Sequence, residues 1–259
     1  MKGPVALKES LKNKLILVPR ERVHVIMLQH APEGFNCHLP GNMRQKINHK
    51  PLTSVGPFQK ISADGYEKLN QQALNMGDLN IPIYPYKDKW SGMILKLCTV
   101  PDSCTAGAVG HLYLDLVQEW EGIPLQLMTD KGLEIGWQAT IQSIFRSFYA
   151  PTIDMEVFPP FVTIPSTQNT VIKSLWWWLG KKTGFNLKDT ILIGKHEHYF
   201  HAHDPMHHNL FYWIFIPLIQ EELNWFHDYW NNHRIRKQAH KTIPSSHSPA
   251  DALCHPSLF

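Results

Sequence analysis

A chain of 259 residues that is 43% hydrophobic, with nine tryptophans and twelve phenylalanines, can bury one core of ordinary size with terminal additions. Its longest apolar run, Leu210 to Ile219, is about ten residues and reads as a buried helix, and no signal peptide opens the chain, so an intracellular protein with no membrane partner is expected. The net charge of +3 conceals an asymmetry: residues 1–60 carry ten basic and three acidic side chains, net +7, against fifteen and nineteen, net −4, in the remainder.

That basic opening segment, with Arg20, Arg22, Arg44, Lys46 and Lys50 among its cations, suits phosphate-backbone contacts and equally suits a solvated terminus. Within it, Val18 to Leu28 reads as a helix started near Pro19. Extended runs follow from Lys60 to Tyr66, from Asn80 to Tyr84 and from Trp90 to Leu97, the opening strands of a mixed sheet. Thr105 to Trp120 reads as a helix, with Val109, Leu112, Tyr113 and Leu116 on one face. The apolar run Pro124 to Met128, bounded by proline and by Gly132, predicts a buried strand with Asp130 at its carboxyl end, where open α/β sheets place their chemistry.

A helix from Gly136 to Phe148 is expected to turn Trp137, Ile141, Ile144, Phe145 and Phe148 inward as its apolar side. The stretch Ser166 to Gly180 places a serine or threonine cap before an amphipathic helix in which Trp176, Trp177 and Trp178 mostly pack into the core. After Gly184 the pattern is helical to about Arg236, with Phe215, Leu218, Ile219, Leu223, Phe226 and Trp230 as a stripe against the core. This alternation of strands and helices argues for an α/β fold with a three-layer core. Four regions are expected: an arm over 1–50, a core over 51–183, a helical extension over 184–242 and an irregular tail over 243–259. Cys37, Cys98, Cys104 and Cys254 are too scattered for a disulfide scaffold and are expected to be reduced.

Three positions carry the chemistry: Asp64 in Lys60-Ile61-Ser62-Ala63-Asp64-Gly65-Tyr66, Asp130 in Met128-Thr129-Asp130-Lys131-Gly132, and Lys173 in Asn169-Thr170-Val171-Ile172-Lys173-Ser174-Leu175-Trp176. Further anchors stand in order at Val18 to Val23, Pro51 to Pro57, Asp88-Lys89-Trp90-Ser91, Ile216 to Leu223 and Trp230 to Arg234. From about Val18 to its end the chain resembles the integrase catalytic cores of retroviruses and transposable elements, the DDE group of the RNase H-like fold, and in particular integrase-core proteins of fungal and animal genomes. The resemblance implies an RNase H-like core, a helix-turn-helix remnant in the basic arm, DNA as partner, homo-oligomers and a nuclear setting. In such proteins two Asp and one Glu hold two divalent ions, Mg or Mn, that activate water or a DNA 3′-hydroxyl. Asp64 matches the first Asp and Asp130 the second; Lys173 stands where the Glu is expected. The chain also departs after the second Asp, with Gly132-Leu133-Glu134-Ile135 in place of Gly-Thr-Glu-Asn.

An ammonium group has no lone pair to give a metal. At an effective dielectric of about 20, a positive charge roughly 5 Å from a dication costs about 6 to 7 kcal/mol. Impaired two-metal catalysis is therefore expected, unless Glu134 supplies the missing ligand through a rearranged turn. Lys173 and Lys181 share a helix face with Trp177 between them, and Lys182 lies beside it, so this helix reads either as a phosphate contact or as a face where loss of the acid was neutral. The histidines from His196 to His208 are the competing metal signal, but their spacing fits no zinc finger and no cysteine stands near.

Overall fold

The computed structural model of the chain describes residues 4–30, 53–65, 81–100, 105–132, 134–184, 193–194, 196–199, 201, 204–237 and 243–259; Arg44, Lys46, Lys50, Cys37 and Cys104 lie outside these. Two helices lead, α1 (Pro4–Asn13) and α2 (Arg20–His30). The sheet is built from β1 (Lys60–Ala63), β2 (Ile83–Asp88), β3 (Ile94–Thr99), β4 (Gln126–Thr129) and β5 (Phe161–Thr163). Between and after the strands come α3 (Ala106–Trp120), α4 (Gly136–Tyr149), α5 (Thr170–Leu179), α6 (Pro205–Asn232) and α7 (Pro249–Cys254).

The strand order is β3-β2-β1-β4-β5, with β1 to β3 antiparallel and β4 and β5 parallel to β1. Alternation sends Ile61, Ala63, Tyr84, Tyr86 and Leu127 to one face, where they meet Val109, Leu112, Tyr113 and Leu116 of α3. The other face carries Ile83, Ile94 and Leu97 against Ile172, Leu175 and Trp176 of α5 and Ile219, Leu223, Phe226 and Trp230 of α6. Helices on both faces of this mixed sheet make the three-layer α/β core that the sequence leads one to expect.

An open sheet edge invites pairing with other chains. Helix α6 closes the β3 edge with side-chain amides. Asn231 accepts from the Ile94 N–H and donates to the Ile94 carbonyl, both at 2.9 Å, and Gln220 accepts from the Thr99 N–H at 2.9 Å and donates to the Leu97 carbonyl at 3.0 Å. Trp230 adds an indole donor to the Gly92 carbonyl at 2.9 Å. The turn between β2 and β3 is tied by the buried Asp88 carboxylate, which accepts from the Ser91 N–H and hydroxyl, each at 2.7 Å, and from the Phe58 N–H at 3.0 Å. Burial raises the Asp88 pKa, and these hydrogen bonds oppose the rise.

Helix α4 buries its amide side, although Ile141 of the apolar residues named above still packs against the α3 side of the core. Its buried residues are Gln138, Gln142 and Arg146, while Trp137 is 62% exposed and Phe148 76%. The cause lies in what the helix must meet. The opposing surface presents the Tyr84, Tyr86 and Tyr113 hydroxyls and backbone carbonyls, which an apolar face would leave unsatisfied. Gln138 accepts from Tyr86 Oη at 2.7 Å and donates to Tyr84 Oη at 3.3 Å; Gln142 accepts from Tyr113 Oη and donates to the Pro124 carbonyl at 2.7 Å. Arg146 donates to the Phe158 carbonyl at 3.3 Å.

Three smaller expectations also change. Only Trp176 of the tryptophan triplet is buried, because consecutive helical positions are about 100° apart and cannot all face one way. Leu218 is half exposed beside its buried neighbour Ile219 for the same reason. The segment read as an irregular tail carries α7, capped by the Ser248 hydroxyl on the Asp251 N–H at 3.2 Å, and its Leu253 joins the α3 side of the core.

Replacing Gln138 with Leu keeps the bulk and removes the amide from the Tyr84 and Tyr86 hydroxyls. Urea denaturation is expected to show a loss of about 1–3 kcal/mol. An unchanged midpoint would mean that those hydroxyls find other partners.

Candidate metal and nucleic-acid site

The central parallel pair sets the site. Strands β1 and β4 align Lys60 with Gln126, Ile61 with Leu127 and Ser62 with Met128, a constant offset of 66. Continued past the strand ends, the same offset sets Asp64 opposite Asp130. The sequence ends both strands just there: Gly65 follows one carboxylate and Lys131-Gly132 the other, and neither dipeptide favours extension of a strand.

Asp64 is buried, and its pKa is raised to about 7. Desolvation is the main cause, followed by the Asp130 charge; a hydrogen bond between the two carboxyls, which requires a proton on one of them, and the Glu134 charge act in the same direction. The nearby Trp176 indole works the other way.

Glu134 reaches this neighbourhood by folding back over Gly132, where a Cβ would stand 2.1 Å from Glu134 Oε1. Its charge acts on both Asp64 and the buried Tyr84 phenol, whose pKa burial drives upward first of all. No rearrangement of the turn is needed to bring that charge near.

Lys173 lies on the first turns of α5 with its side chain exposed, and among the described residues it makes no ion pair with a carboxylate. The start of α5 is fixed by buried Asn169, which donates to the Ala63 carbonyl at 3.2 Å, next to Asp64. Asn169 Oδ1 has no hydrogen-bond partner among the described atoms. Asn169, Trp176 and Tyr84 were not singled out by the sequence. Asn169 carried a signal in being a preferred cap residue type ahead of an apolar period; for Tyr84 and Trp176 only the packing reveals the neighbourhood.

The donors fit one hard divalent cation that keeps several waters, as Mg²⁺ does when bound through one or two carboxylates. They do not form a closed set: among the described residues no group of three or more His, Cys, Asp or Glu side chains is arranged to hold a metal ion. The described histidines of the segment from His196 to His208 join no such group, and His203 lies outside the described residues. His201 and His207 stack at 5.5 Å, and the His201 N–H donates to His207 Nδ1 at 3.1 Å, which occupies that lone pair.

Cations also stand on α5 and on the π-helical turn Gly180–Gly184 that extends it. Lys181 Nζ stands 4.1 Å from the centre of the Trp177 ring, and Lys182 Nζ lies 5.3 Å from Tyr229 and 5.9 Å from Trp178. Arg20 and Arg22 are exposed on α2. No helix among the described residues is long and apolar enough to cross a membrane.

The raised Asp64 pKa has a definite sign in stability. Below about pH 4 the carboxyl is protonated folded or unfolded; between there and about pH 7 the unfolded chain ionises freely while the folded site resists, so folding is progressively penalised as pH rises. The metal-free thermal midpoint is therefore expected to fall from pH 5 to pH 8, and Asp64→Asn is expected to flatten that dependence, with a gain on the order of a few kcal/mol at pH 8. Parallel profiles for the two proteins would remove Asp64 as the cause.

A chain from the cryo-EM structure of the simian T-cell lymphotropic virus intasome in complex with PP2A regulatory subunit B56 gamma is similar to this one at 11% identity, with a TM-score of 0.41, covering 99% of this chain and 76% of that chain. No curated protein matches. The model of the integrase core domain matches residues 83–247, from β2 through α6, which is well over half of the sequence and includes Asp130, Glu134 and Lys173. The chain belongs to the integrase core domain family.

Proposed function

We propose that this protein binds DNA through an integrase core whose polynucleotidyl transfer is impaired, because Lys173 takes the place of the third metal-binding carboxylate. The observation that carries this reading is the geometry of the pair: Asp64 and Asp130 stand in register at the ends of the two central parallel strands, and the helix beside them offers an exposed ammonium instead of an acid. Asp64 and Asp130 would hold one Mg²⁺ or Mn²⁺. When bound, such an ion activates a water or hydroxyl nucleophile and stabilises the leaving oxygen. The second ion of a two-metal site has no ligand from Lys173.

The remaining surface supports nucleic-acid binding without base readout. Lys173 on α5 and Lys181 on the π-helical turn that follows it stand four residues either side of Trp177, cations and an aromatic ring suited to phosphates, and Arg20 and Arg22 are further exposed cations on α2. A DDE origin in a transposable element, a nuclear location and a basic arm over residues 1–50 belong to the same proposal.

One observation favours a second reading, an active DDE recombinase or nuclease. Glu134 is folded back so that its charge is felt at Asp64, which makes it the candidate substitute ligand.

Mn²⁺-dependent cleavage and strand transfer on branched DNA separates the two. The unaltered chain is expected to be inactive and Lys173→Glu to gain activity that Asp64→Asn abolishes. Activity of the unaltered chain, lost in Glu134→Gln, would overturn the first reading in favour of the second. DNA affinity should fall steeply with salt, and Lys181→Ala should reduce the slope of log K against log salt by about 1; a salt-independent affinity would exclude phosphate contacts as its source.

A further inference from the structure

Asparagine commonly caps a helix through its side-chain oxygen, and Asn169 stands at the capping position before α5. It does not cap: its side chain accepts no hydrogen bond from the first turn. The amide is turned instead toward β1, where Nδ2 donates to the Ala63 carbonyl at 3.2 Å. Only the NH2 end of an amide can meet a carbonyl, so that bond leaves Oδ1 as the other end. This oxygen belongs to a side chain that is 1% exposed, and it has no hydrogen-bond partner among the described atoms. A buried amide oxygen without a donor is costly, and in a native protein such a group calls for a ligand.

Its surroundings select the ligand. Asn169, Ile172 and Trp176 recur at helical spacing on the buried side of α5, whereas Lys173 lies one position further round and is exposed. That buried side lies beside Asp64 at two points, through the Asn169 bond to the preceding residue and through the nearby Trp176 indole. We propose that Asn169 Oδ1 is a third protein oxygen for the divalent cation of Asp64 and Asp130, an inference that rests on the cation proposed for that pair. Hard cations accept amide carbonyl oxygens alongside carboxylates and water. A neutral oxygen also adds no negative charge to two carboxylates that already repel each other, so the cation-free fold accommodates it more readily than another acid. The ligand that Lys173 does not supply thus comes in part from one turn earlier in the same helix, as a dipole rather than a charge.

Titration of the full chain with Mn²⁺ at pH 8, without DNA, followed by the electron paramagnetic resonance signal of free Mn²⁺, tests this apart from any catalytic activity. Binding that disappears in Asp64→Asn defines the site and sets aside ions held elsewhere. Asn169→Leu is expected to weaken that binding by at least the roughly tenfold that loss of an outer-shell partner costs. Because Leu also removes the bond to Ala63, Asn169→Asp separates the two roles: it keeps an oxygen and loses the Nδ2 donor. Asn169→Asp is expected to bind Mn²⁺ at least as tightly as the unaltered chain, with a thermal midpoint that is lowered without metal and recovers when Mn²⁺ is added. Weaker binding in Asn169→Asp, whatever Leu does, leaves Asn169 as an anchor only and overturns the proposal. So does an unchanged affinity in Asn169→Leu while Asp64→Asn still abolishes binding. An unaltered chain with no Asp64-dependent Mn²⁺ binding overturns the cation at the carboxylate pair itself, and this inference with it.

Discussion

Two carboxylates held side by side at the ends of adjacent parallel strands repel each other, and the rest of the site answers that repulsion. The register of β1 and β4 fixes Asp64 opposite Asp130 whatever their charge. Burial and, after it, the Asp130 charge raise the Asp64 pKa, so a proton on that carboxyl relieves both. Lys173 would be the obvious neutralising charge, yet its side chain is exposed and it makes no ion pair with a carboxylate among the described residues. An acid at that position would worsen the repulsion in the empty state and relieve it only with metal present.

The fold holds this strained pair by placing polar groups where an apolar contact would not suffice. On one face, Gln138 and Gln142 lock α4 to the tyrosines of β2 and α3, and the buried Tyr84 feels the charge of the site carboxylates. At the sheet edge, Gln220 and Asn231 of α6 replace a missing sixth strand with side-chain amides. At the start of α5, Asn169 pins the helix to the residue before Asp64. Each is a directional bond whose loss leaves a buried group unsatisfied, so each specifies position more sharply than packing of interchangeable aliphatic side chains would.

Helix α4 shows how a correct pattern can be assigned the wrong side. Its amphipathy is plain in the sequence, and the usual inference from such a pattern is that the apolar side faces the core. That inference assumes an apolar partner. Here the partner surface is lined with hydroxyls contributed by residues far apart in the chain, Tyr84, Tyr86 and Tyr113, and the amide side wins. Trp137, Ile144 and Phe148 are then left exposed, while Ile141 still packs against the α3 side of the core.

Much of the architecture was legible without coordinates. Short apolar runs ended by Gly65 and Gly132 gave the two strands that carry the carboxylates, the 3.6-residue period gave α3, α5 and α6, and the anchors around Asp64, Asp130 and Lys173 gave the RNase H-like expectation, because these depend on neighbours a few residues away. The tertiary structure decided what depends on residues brought together from a distance: the register that makes Asp64 and Asp130 a pair, the fold-back of Glu134 over Gly132, the Asn169 anchor on Ala63, and which side of α4 is buried. Periodicity specifies that a helix has two sides, but only the chemistry of the surface it lands on determines which one turns inward.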